Sequence, residues 1–312
     1  MNPWGVTVRA VVIVAVLASA LAGPAEAASK RQLSISILSG RADLVSGGSA
    51  LVAVDLPLGS NPRLARVTLG GNDVTSAFAV RADGRFEGLV TGLALGPNQL
   101  QATLPGAAGA TITLTNHPIG GPVLSGPQLQ PWTCQSTAVD SQCNQPPTYR
   151  YVYKSTDPTK SGFQPYNPAS PPSDVAQTTT DQGVTVPFIV RIETGYMDRD
   201  QYQVAALFQP GKPWSTFTPQ RQFNHKLLIL HGVSCGVDYE TGSAPDTTGS
   251  SSPTGDAGTY ALGRGFLTMS TALDHSGHNC NLPLQAESLI MAKEYIAKTY
   301  GTLRYTIGTG CS

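Results

Sequence analysis

The sequence predicts an all-β sandwich over residues 32–116, followed at residues 184–312 by the opening of a layered α/β sheet. Three observations carry that reading. Short runs that alternate apolar and polar residues, separated by Gly-rich turns, fill the first segment. Continuous apolar runs at 226–232 (KLLILHG) and 264–270 (RGFLTMS) suit strands buried on both faces of a sheet. One long amphipathic stretch stands after them at 284–300, where a crossover helix would lie.

The chain opens on an address. Arg9 supplies a positive start, residues 10–21 (AVVIVAVLASAL) an apolar core, and Ala25-Glu26-Ala27 a small-residue cleavage site. The core is too short to span about 30 Å of hydrocarbon, so residues 1–27 read as a signal peptide of an exported protein. No other run is long enough to cross a bilayer.

Strands of the sandwich are expected at 33–38 (LSISIL), 50–56 (ALVAVDL), 66–69 (RVTL), 98–104 (NQLQATL) and 110–115 (ATITLT). Gly47-Gly48, Gly70-Gly71, Asp83-Gly84 and Gly106 supply turns, a spacing that suggests an immunoglobulin-like domain. Residues 117–183, rich in Pro, Ser, Thr and Gln, read as an extended connector. Within it Tyr149, Tyr151 and Tyr153 alternate, as in a short strand docking on the next domain. Residues 184–194 and 202–208 then form a hairpin about the polar turn Asp198-Arg199-Asp200. Residues 241–260 are polar and Gly/Ser/Thr-rich, and read as a surface loop. In the helix, Leu289, Ala292, Ile296 and Tyr300 recur at helical spacing and Gly301 follows as a cap. Residues 303–307 return to strand.

Composition narrows the function. A formal net charge of +0 and the absence of a basic run exclude a nucleic-acid partner. The five cysteines, Cys134, Cys143, Cys235, Cys280 and Cys311, can oxidise in an exported chain, and the odd count leaves one unpaired. His275 and His278 stand three apart beside Cys280, but structural zinc takes four ligands and no further cluster has matching spacing. No metal and no cofactor are expected.

The chemistry concentrates at the end of the chain. The expected strand at 303–307 runs into Gly308-Thr309-Gly310-Cys311-Ser312, whose last three residues match the opening of the G-x-S-x-G nucleophile elbow. A sharp strand-to-helix turn needs small flanking residues, so the residue two before the nucleophile decides the register. It is Gly310 for Ser312 and the bulkier Thr309 for Cys311. Ser312 is therefore assigned as nucleophile, and the second half of the chain as the first half of an α/β-hydrolase sheet. The run 226–232 ends in His231-Gly232, after which the amides of Val233 and Ser234 are candidate oxyanion donors. His231, Gly232 and His278 are expected to face the substrate. Asp274 precedes Ser312, contrary to the Ser–acid–His order of that fold, and is set aside as a triad acid.

Residues 226–232, 267–278 and Gly310-Cys311-Ser312 resemble the tannase and feruloyl esterase group. The mature chain as a whole is similar to a family of secreted bacterial proteins sharing an N-terminal sandwich, a Pro131-Trp132-Thr133-Cys134 connector and the Gly-Thr-Gly-Cys-Ser elbow. The resemblance implies a serine esterase acting on an ester-bearing small molecule or polymer. All five histidines precede Ser312. On the family's order the acid and base would lie further on, so the chain reads as an N-terminal fragment without normal turnover. The resemblance also implies that Cys311 pairs with a cysteine beside that later histidine. Cys134–Cys143 and Cys235–Cys280 are then one of three possible pairings of the remaining four. The alternative is a non-catalytic extracellular binding protein on a degenerate hydrolase scaffold.

Overall fold

Alternation along residues 32–117 produces two sheets that close over one core. A computed structural model describes residues 32–249, 255–275 and 277–310. The expected signal peptide at residues 1–27, Cys311 and Ser312 lie outside the described residues. In chain order the first strands are β1 (Ser34–Ile37), β2 (Val45–Ser46), β3 (Ser49–Asp55), β4 (Arg66–Leu69), β5 (Asn72–Asp73), β6 (Phe78–Val80), β7 (Phe86–Thr91), β8 (Gly96–Thr103) and β9 (Ala110–His117). They form a four-stranded sheet, β1-β3-β7-β6, and a five-stranded sheet, β2-β9-β8-β4-β5. Val52 and Val54 of β3 meet Val67, Leu100 and Leu114 of the opposite sheet in a shared buried cluster. That face is what the period-2 pattern encodes.

The remaining strands are β10 (Thr148–Lys154), β11 (Phe163–Pro165), β12 (Gln177–Thr179), β13 (Thr185–Pro187), β14 (Ile189–Met197), β15 (Asp200–Leu207), β16 (Lys226–Leu230), β17 (Leu267–Thr271) and β18 (Tyr305–Thr309). Seven of them form one sheet in the order β11-β10-β14-β15-β17-β16-β18. Two helices are described, α1 (Ala257–Gly263) and α2 (Leu282–Thr299).

This corrects the predicted fold class. The second part of the chain is not an α/β-hydrolase half: the described chain is mostly β, with these two helices only. The reason lies in strand direction. β10, β11, β14 and β15 are joined antiparallel, and β15 meets β17 antiparallel as well. Only β17, β16 and β18 run parallel. A buried apolar run records that both faces of a strand are covered, but not the direction of its neighbour.

Two further differences have local causes. The strand expected from the alternating tyrosines is β10, which pairs with β14, and residues 163–165 of the expected connector add β11 on its other side. At the end of the expected surface loop and just past it, residues 257–263 form α1, which has no side-chain cap and is Gly-rich. It holds by burial: Leu262 is inaccessible and packs with Val152, Val190, Ile192 and Ala205.

The long helix α2 covers the opposite face. Asn281 caps it, accepting from the Leu284 amide, and Pro283 occupies its first turn. Met291, Ala292 and Ile296 pack on Leu227, Ile229, Leu267 and Met269. The same helix grips the first two sheets. Glu294 accepts from the Ser46 amide and hydroxyl, and Lys298 donates to the Ser46 carbonyl at 2.8 Å.

Candidate functional site

Because β16, β17 and β18 are parallel, their carboxyl ends meet along one edge of the sheet. The residues that come after them are His231, Asp274 and Gly310. The His231 amide donates to the Thr309 carbonyl at 2.8 Å, carrying the β16–β18 ladder one residue further.

His231 and Asp274 form a pair. Nδ1 of the imidazole lies 2.5 Å from Oδ2 of Asp274, whose own amide donates to the Thr271 hydroxyl. The carboxylate is buried and the imidazole about one-third exposed. The hydrogen bond to Asp274 raises the His231 pKa above its ordinary value, against the opposing effect of burial.

The next residues are shaped by close packing. A Cβ on Gly232 would fall 1.6 Å from Nδ1 of His275, so no other residue fits there. Ser234 is held at φ +71°, a left-handed conformation that costs a non-glycine residue about 1 kcal/mol or more. No described group accepts a hydrogen bond from the amides of Val233 or Ser234. Two donors in this state beside a half-exposed imidazole can receive a partial negative charge on a ligand.

The loop that carries them is tied down from the far side. Cys235 is disulfide-bonded to Cys280, and Cys134 to Cys143. The Asp238 amide donates to the His278 carbonyl. His278, expected to face substrate, is instead buried with both ring nitrogens engaged, Nε2 with Asp200 at 2.8 Å and Nδ1 with Asp238 at 3.0 Å. Its pKa is raised, led by the bond to Asp200. Trp132 meets its ring edge-on at 6.3 Å. Asp200 also accepts from the Gly242 amide at 2.7 Å, so one buried carboxylate gathers the loop after β16 and the loop after β17 at the start of β15.

Among the sequence-predicted positions, His231, Gly232, Val233 and Ser234 therefore share this edge with the end of β18. Ser312, two residues past Gly310, lies outside the described residues, as does Cys311. Sequence reasoning missed the His231–Asp274 pair, because chain order set Asp274 aside. It also missed Asp200 and Asp238, whose partner His278 is 78 and 40 positions away in the chain. Among the described residues, no three His, Cys, Asp or Glu side chains are grouped to hold a metal ion. No described helix is long and apolar enough to cross a membrane.

A model of a tannase-like family of unknown function matches residues 35–312. The chain belongs to that family. No curated protein matches it.

Proposed function

We propose that this tannase-like family member is an exported hydrolase of carboxylic esters. In this reading Ser312 attacks the ester carbonyl and the amides of Val233 and Ser234 receive the developing oxyanion. The serine oxygen bonds to the carbonyl carbon, the alcohol departs with the hydroxyl proton, and water then cleaves the acyl-enzyme to the free acid.

The observation that carries the reading is the pair of unpartnered amides at a strained residue, in register with the end of β18. His231 stands level with Gly310 on the adjacent parallel strand. Neighbouring strands lie about 4.8 Å apart, so donors two and three residues past His231 leave the sheet next to the chain that leads to Ser312. Strain of this kind persists where the surroundings over-determine it, and it gathers at reacting sites. Export is supported by the Ala25-Glu26-Ala27 signal pattern and by two disulfides, which persist in oxidising compartments.

The test compares the full chain with its Ser312→Ala variant on p-nitrophenyl acetate and butyrate. Slow wild-type hydrolysis above the buffer rate, lost in the variant, is the expected result. Equal rates in the two proteins would refute the proposal.

A further inference from the structure

His231 touches the ends of all three parallel strands. Its backbone extends the β16 ladder to Thr309. Its Nδ1 meets Asp274, which stands just past β17, at 2.5 Å. Its ring lies flat on β18: a Cβ built on Gly308 would stand 2.6 Å from Nε2, and one built on Gly310 would stand 2.8 Å from the His231 Cβ.

We propose that His231, oriented by Asp274, is a positioning residue that locks the end of β18 to the ends of β16 and β17. The proposal rests on the esterase reading above and assigns a part within it. The lock sets the spacing between the Val233 and Ser234 amides and the chain that continues past Gly310.

The direction of the ring carries the inference. Its Cβ sits at the level of Gly310 and its Nε2 at the level of Gly308. The imidazole therefore leans back along β18, from Gly310 toward Gly308. The same packing accounts for the Gly308-Thr309-Gly310 spacing. Neither glycine has a left-handed φ, so backbone freedom does not require them. The imidazole fills the room that side chains at 308 and 310 would take.

The experiment uses the full chain and its His231→Ala, Asp274→Asn and Gly308→Ala variants. Ester hydrolysis is followed across pH, and thermal melting is measured in parallel. Misplacement of reacting groups by about 1 Å costs about 10²-fold. Each variant is accordingly expected to lose about 10- to 100-fold in kcat, with KM changed less than about 3-fold and the pH midpoint of kcat/KM unmoved. Gly308→Ala, which displaces the ring without altering any ionisable group, should reproduce the His231→Ala loss. Wild-type kcat in His231→Ala, a loss of about 10⁴-fold, or a pH midpoint that moves in Asp274→Asn would each overturn the proposal.

Melting separates this inference from the reading beneath it. Gly308→Ala should lower the melting temperature in the wild-type background and have little effect in the His231→Ala background. If Ser312→Ala leaves hydrolysis unchanged while that coupling holds, the esterase reading fails and the lock stands. If Ser312 is required and the coupling is missing, the lock is wrong and the esterase reading survives.

Discussion

The scaffold under α2 and the carboxyl ends of the parallel strands treat their polar groups differently. Where α2 packs, three inaccessible carboxylates are fully engaged. Glu193 accepts from the hydroxyls of Tyr202 at 2.8 Å, Tyr300 at 2.5 Å and Tyr295. Glu287 accepts from three consecutive amides, Val123, Leu124 and Ser125, at 2.6–2.8 Å, and also from the Ser125 hydroxyl. Those amides hold its pKa below the usual carboxylate value although burial pushes it up. Glu294 joins Ser46 and Lys298. At the carboxyl ends of β16–β18 the opposite holds: amides are left open, Ser234 is strained, and an imidazole leans over glycines. Satisfied polar networks build rigid scaffolding, whereas a chain departs from local consistency where it has something else to do.

Removing a scaffold carboxylate should have the largest effect. Glu193→Leu leaves three tyrosine hydroxyls without their acceptor, and the loss should be about 3 kcal/mol or more, read from urea unfolding at neutral pH. A loss under about 1 kcal/mol would erase the contrast, because that side would then be no better determined than the strand ends. Next comes the tie that holds the open loop. Cys235→Ser with Cys280→Ser should reduce stability by about 2–4 kcal/mol and speed amide exchange at residues 232–240. Unchanged exchange there would show that the loop is held by something other than its link to Cys280.

The smallest effect is titratable. His278 is protonated more readily in the folded chain than in the unfolded one, chiefly through Asp200. Its contribution is therefore complete below about pH 6.5, the unfolded value, and is lost as pH rises through the higher folded value. Melting temperature should fall modestly between slightly acidic and mildly alkaline pH, and the dependence should flatten in His278→Gln. A wild-type profile that rises over that window would contradict the Asp200–His278–Asp238 tie.

Much of the scaffold was legible because burial writes itself into periodicity. The apolar face of α2, the alternation in β1, β8 and β9, and the buried runs of β3, β16 and β17 all appear in the residue pattern. Strand direction does not: the hairpin of β14 and β15 was expected, but the antiparallel joining of β15 to β17 was not, and it misled the fold class. Nor could α1 be read, since a short Gly-rich helix without a cap is held by contacts that the sequence scatters across β10, β14 and β15. At the strand ends, the exit of β16 at His231-Gly232 could be read from the sequence, whereas the Asp274 partnership depends on two strands lying side by side. Gly308 opens the Gly-Thr-Gly-Cys-Ser run, but the packing that favours it is an imidazole 77 positions earlier in the chain.

The central claim is that the strand-end edge is where a serine reacts. Treating the full chain with a fluorophosphonate and mapping the adduct by peptide mass spectrometry tests it most directly. The account predicts one dominant adduct, on Ser312, that disappears in Ser312→Ala and slows when His231 is replaced by alanine. Labelling spread over other hydroxyls, or none at Ser312 under conditions where the chain is folded, would contradict it.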